Sequence, residues 1–175
     1  MSRSTLTAIV ITTLCFAIAI ASLGLASLYI ETDGLSIVSH GIHIVPQNEE
    51  DVIKKMEQLA EENYRYWLNT PRTGVVKNTF FGTVITMKYA EPIGITWTED
   101  LGIEGIHPTS IPVLVDRIIA VIPDDPKGDF RLIVYRPSPD PERYNPDRYI
   151  FVMSCEQANE LLNLIGKKPI TITQE

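Results

Sequence analysis

Tyr135, Tyr144 and Tyr149 stand with Arg136, Arg143 and Arg148 in and around a stretch punctuated by Pro137, Pro139, Pro141 and Pro146. Tyrosine and arginine are the residue types that most often dominate protein interfaces. Four prolines fix φ along the stretch, so it loses little entropy on docking. These six residues are therefore the candidate partner-binding set. The same stretch also reads as a rigid crossover with no partner, and the sequence leaves both readings open.

The other reactive side chains form weaker constellations. His40 and His43 are three apart, and in a strand they point to opposite faces unless Gly41 introduces a bulge. With His107 remote in sequence, they make a poor metal set. Asp124, Asp125 and Asp129 lack the alternating acidic spacing of a calcium loop, and a hairpin turn explains them better. Glu99, Asp100 and Glu104, near Trp97 and His107, could serve as paired carboxylates in sugar hydrolysis. Nothing in the sequence fixes their separation. Cys15 and Cys155 are too far apart in character to pair, and Cys155 reads as a small buried residue in the first turn of a helix. The chain has no Gly-rich phosphate loop, no nucleophile elbow and no Cys-x-x-Cys. No cofactor, metal or catalytic residue is expected.

Charge narrows the partners. The net charge of the 175 residues is −7, and Arg3 is the only basic residue before Lys54, so the remainder is more acidic still. An acidic body excludes phosphate-backbone recognition, which needs clustered Lys and Arg, and so excludes nucleic acid.

The N-terminus carries the strongest signal. No charged residue occurs between Ser4 and Ile30. Residues 6–30, as a helix rising 1.5 Å per residue, reach about 37 Å, enough to cross a bilayer core with some tilt. Residues 1–30 are thus expected to be a transmembrane signal-anchor in contact with the lipid bilayer. Arg3 before it, and Glu31 and Asp33 after it, place the N-terminus in the cytoplasm and residues 31–175 outside. The alternative is a cleaved signal peptide ending at Ala19-Ile20-Ala21, giving a secreted or cell-surface protein. Ala17 with Ala21, and Ser22 with Ala26, provide small-residue spacing for helix–helix packing in the membrane.

About 145 residues remain, enough for one domain. Residues 35–45 alternate as a strand, with Gly41 as a bend. Residues 48–68 predict a helix: Asn48 caps it, and Val52, Met56, Leu59, Ala60, Asn63 and Trp67 share a face. Glu50–Lys54, Asp51–Lys55 and Glu61–Arg65 pair along it. Strands are expected over 74–89, 93–97, 111–122, 130–135 and 149–153, with a turn over 124–129. Ser154 and Gln157 form a capping box for a second helix reaching Ile165, closed by Gly166. A last strand is expected over 170–173. The result is an α+β domain: one mostly antiparallel sheet with two helices on a face.

The expected function is a non-enzymatic, single-pass accessory subunit of a membrane or cell-envelope assembly, docking on other subunits through its extracytoplasmic domain. A homo-oligomer is compatible with the same features. Two alternatives remain: a processed surface protein that forms filaments or a coat, and a membrane-tethered hydrolase using Glu99 and Asp100.

Overall fold

The computed structural model describes residues 33–63, 81–99, 109–140 and 147–171. The compact unit to which they belong is Asp33–Glu175. The membrane-helix residues 6–30, including Ala17, Ala21, Ser22 and Ala26, lie outside the described residues. Among the described residues no helix is long and apolar enough to cross a membrane.

The described chain is α+β. Six strands form one antiparallel sheet: β1 (Gly34–Ser39), β2 (Ile42–His43), β3 (Gly82–Glu99), β4 (Thr109–Pro123), β5 (Arg131–Arg136) and β6 (Asp147–Val152). Their order is β2-β1-β3-β4-β5-β6. Helix α1 (Glu49–Glu62) joins β2 to β3, and α2 (Cys155–Leu164) follows β6.

The strands alternate because the sheet has two different faces. On one face Ile37, Ile85, Ile118, Ala120, Ile122, Leu132, Val134 and Phe151 meet Val52, Met56, Leu59 and Ala60 of α1 and Ala158, Leu161 and Leu162 of α2. The other face carries a second buried cluster of Val84, Ile119, Val121, Ile133 and Ile150, with Tyr135 against it. Both helices therefore sit on a single face, as the strand and helix periodicities imply.

Both helices start where the sequence places them. Asn48 accepts the Glu50 amide, and Ser154 and Gln157 complete a reciprocal capping box. Of the expected ion pairs, Glu50 holds Lys54, and that contact lowers the Glu50 carboxyl below its ordinary value. Asp51 instead accepts from the Asn48 amide group, while Lys55 reaches Glu160 on α2. The inter-helix partner wins because Lys55 is largely sheltered between the two helices. Glu61 accepts the Thr96 amide of β3, and Arg65 lies outside the described residues, as do 64–68 of the expected helix.

Three strand boundaries differ from expectation. The run 35–45 is not one bent strand but a hairpin. His40 and Gly41 both adopt positive φ, 52° and 74°, which is the two-residue turn that suits strand twist. Glycine takes that conformation freely, while histidine tolerates it at some cost. The separate strands expected at 74–89 and 93–97 are, where described, one 18-residue strand, β3. Its pairing with β4 shifts between Lys88 and Ile93, and Pro92 falls inside that irregularity, the place in a sheet where a missing amide does least harm. Finally, Ile170 and Thr171 are not in a strand. The Asn159 side chain accepts the Ile170 amide at 2.7 Å and donates to its carbonyl at 2.9 Å. One amide side chain thus replaces the ladder that a neighbouring strand would have supplied.

Candidate functional site

A cavity of about 350 Å³ opens at the end of the sheet where β1, β3 and β4 meet the segment after α2. Ser39, His40, Thr83, Asp124, Lys167 and Lys168 are among its lining residues. A hydrogen-bonded chain crosses it. Thr83 Oγ1 donates to Ser39 Oγ at 2.9 Å, Ser39 Oγ lies 3.0 Å from His40 Nδ1, and His40 Nε2 lies 2.9 Å from Asp124 Oδ2. A carboxylate only accepts, so His40 Nε2 carries a proton and donates to Asp124, and in the neutral ring Nδ1 accepts from Ser39.

Local structure explains each member. Ser39 ends β1 on the helix-covered face, opposite Thr83 in the antiparallel register. The hairpin turn then throws His40 outward. Gly82 lets the chain approach β4 closely, since a Cβ there would collide with the Ile122 carbonyl. The His40 amide donates to the Gly82 carbonyl, and Asp124 begins the turn after β4. The chain of bonds therefore ties the β1–β2 turn to the β4–β5 turn.

Serine, histidine and aspartate in this order are the groups of a nucleophilic relay. A relay also needs a nucleophile that substrate can reach and donors for the oxyanion. Ser39 is 0% exposed and Thr83 3%, and the nearby Gly166 and Lys167 amides are spent on Asn163 and Leu162 carbonyls. The arrangement acts as a clasp between turns.

The sequence-selected partner residues lie at the far end of β5 and β6. Tyr135 pairs with Arg148, Arg136 with Asp147, and Val134 with Tyr149. Strand alternation puts Tyr135 and Arg148 on one face, Arg136 and Tyr149 on the other. Arg117 stacks over the Tyr135 ring at 5.1 Å. Arg136 Nη1 donates to Tyr149 Oη at 3.3 Å, and the Tyr149 ring packs edge-on against Trp97 at 5.1 Å. Tyr149 is thus shared between the core and the surface. Arg143 and Tyr144 lie outside the described residues.

The remaining sequence candidates do not converge. His43 is exposed in β2 and His40 belongs to the clasp. Asp125 accepts the Lys127 amide, Asp129 pairs with Arg131, and Asp124 holds His40, so the three acids serve different partners. Glu99 ends β3, but its side chain, like Asp100, Glu104 and His107, lies outside the described residues. Cys155 opens α2 as a free thiol, with the Asn159 amide nitrogen 3.7 Å from Sγ.

Sequence reasoning did not identify the outer edge of β6. The Met153 amide donates to the Phe130 carbonyl of the β5 side. Backbone groups of alternate residues point the same way, so Phe151 and Tyr149 face β5, while the N–H and C=O groups of Arg148, Ile150 and Val152 face outward. Among the described residues no strand pairs with that side. The opposite edge ends in the two-residue β2, and its run stops at Pro46.

The chain matches no family model, no curated protein and no solved structure.

Proposed function

We propose that this protein is a non-enzymatic accessory subunit of a membrane or cell-envelope assembly. Residues 6–30 anchor it, the N-terminus is cytoplasmic, and the α+β domain docks outside. The observation that carries the docking role is the outer edge of β6, with which no strand pairs among the described residues. It offers a row of outward amides and carbonyls with no proline and no bulge in its pairing with β5, whereas exposed edges are normally blunted. The Tyr/Arg residues Tyr135, Arg136, Arg148 and Tyr149 lie on the two strands at that edge, and Arg143 and Tyr144 belong to the sequence between those strands. An incoming segment would gain main-chain bonds from the edge and side-chain contacts from its flanks.

Native purification in mild detergent tests this, reading the N-terminal residue and the co-purifying chains together. Retained Met1 or Ser2 with a stoichiometric partner is the expected result. A strictly monomeric protein with no partner refutes it. A mature N-terminus at Ser22 would instead favour the processed surface protein.

The second reading, a membrane-tethered hydrolase, is favoured by the Ser39–His40–Asp124 order. It requires Ser39 to react with a fluorophosphonate in the folded protein. The full burial of Ser39 argues for no labelling.

A further inference from the structure

We propose that the cavity at the clasp binds a small organic monoanion, a carboxylate carried on a short apolar body. The site lies away from the edge of β6, so it stands or falls independently of the docking role.

The cavity lining divides by chemistry. Ile122, Leu162 and Ile170 supply an apolar wall. Ser39 and Thr83 bring hydroxyls, but these are engaged with each other and with His40, and His40 holds the Asp124 carboxylate. The ionised groups still to be matched are Lys167 and Lys168. Lys54, Lys55 and Lys88 pair with Glu50, Glu160 and Asp33, whereas Lys167 and Lys168 meet no carboxylate among the described residues. Two lysines against one aspartate leave the lining at +1, with His40 counted as neutral, in a chain of net charge −7. A cationic hollow in an acidic molecule concentrates anions, and one net charge complements a monoanion better than a dianion.

The lysines are also held in place. After α2, Gly166 takes a φ of 71°, and the Lys167 amide donates back to the Leu162 carbonyl, the pattern that closes a helix and turns the chain away. Three residues on, the Asn159 side chain grips both backbone groups of Ile170. The segment bearing the two lysines is thus tied at both ends, and a ligand would order little backbone on binding.

Exposed apolar side chains stand next to the lining residues. Ile42, 68% exposed, pairs with Ser39 in the hairpin register, and residues directly opposed across a ladder share a face. Phe81, 72% exposed, precedes Gly82, and its carbonyl accepts the Asp124 amide. A ligand with an apolar body would cover surface there that water now covers. The volume of about 350 Å³ lies at the small end of ligand cavities, which suits a short body.

Hexanoate is the probe. The full chain in nonionic detergent is titrated with it while the amide resonances of Gly82, Gly166 and Lys167 are followed by NMR, so that binding is read at the cavity and not at the micelle. Saturable shifts at these amides are expected. Acetate, which keeps the charge without the body, should bind at least about tenfold more weakly. Hexanol, which keeps the body without the charge, should also bind at least about tenfold more weakly. Lys167→Gln combined with Lys168→Gln should weaken hexanoate about tenfold, and Lys168→Gln alone, at an exposed position where folding is not at stake, about threefold. Lys54→Gln removes a charge from α1 and should leave the affinity unchanged. The absence of saturable shifts up to about 10 mM hexanoate overturns the proposal. Hexanol binding as tightly as hexanoate overturns the anionic head, and acetate binding as tightly overturns the apolar body. Equal losses from Lys168→Gln and Lys54→Gln would leave only a general effect of net charge and overturn the site.

Discussion

Removing the Ser39 hydroxyl should destabilise the domain in a way that a second substitution reverses. Ser39 Oγ accepts from Thr83 at 2.9 Å and donates toward His40 Nδ1 at 3.0 Å. Ser39→Ala leaves the Thr83 hydroxyl buried with no acceptor, which costs about 1–3 kcal/mol. His40 loses a donor too, but its side chain is 50% exposed, so water replaces that bond at little cost. The expected loss is about 2 kcal/mol. Thr83→Val leaves Ser39 still bonded to His40 and costs about 1 kcal/mol. The double variant replaces both groups with apolar ones of similar shape, so neither is orphaned. It should be less destabilised than the sum of the singles by about 1–2 kcal/mol. Urea denaturation of the full chain in mild detergent, followed by tryptophan fluorescence, reads the midpoints at constant slope. An additive cycle would refute the clasp, since two groups that do not depend on each other cannot be bonded in the folded state. A fluorophosphonate adduct on Ser39 in the folded wild type would refute the burial argument directly.

Three further outcomes follow from particular contacts. Asn159→Ala removes both bonds that hold Ile170, at about 1 kcal/mol each; hydrogen exchange at the Ile170 amide should accelerate far more than exchange in the strands, and unchanged protection there would count against the pin. Burial, and then the Glu57 carboxylate that accepts its hydroxyl at 2.9 Å, push the Tyr89 phenol far above its ordinary value of 10. In the unfolded chain that phenol ionises near pH 10, so the Tyr89 contribution is complete below that pH and falls as pH rises toward the folded-state value. Stability should therefore decline above about pH 10, and Tyr89→Phe should flatten the decline; an identical alkaline profile in the variant would show that the contact does not matter. Trp97 donates to the Ala60 carbonyl at 3.1 Å and is 3% exposed, so Trp97→Phe should lower stability by about 1–2 kcal/mol, read as a shift in the denaturation midpoint with the fold retained by circular dichroism.

Local physics made part of this molecule legible without a structure. Caps, turn residues and amphipathic spacing act over a few residues, so Asn48, Ser154 with Gln157, and the buried face Val52–Met56–Leu59–Ala60 could be read directly. The turn expected over 124–129 lies between β4 and β5, which pair antiparallel on either side of it. The uncharged run of residues 6–30 and the acidic balance of the rest are likewise properties of sequence alone, and the proposed membrane anchor rests on the first of them.

Tertiary structure decided everything that depends on distance along the chain. Ser39 and Thr83 are 44 residues apart and His40 and Asp124 are 84 apart, so no local pattern could assemble the clasp. The hairpin at His40–Gly41 turned on two backbone angles that a histidine only tolerates. Ile170 was apolar and β-branched enough to read as a strand, yet a single asparagine on α2 satisfied its backbone first. The open edge of β6 was beyond sequence for a different reason. Which strand ends a sheet depends on the pairing order of all six, and only when β5 had claimed one side did the amides of Arg148, Ile150 and Val152 become the outer row of the sheet among the described residues.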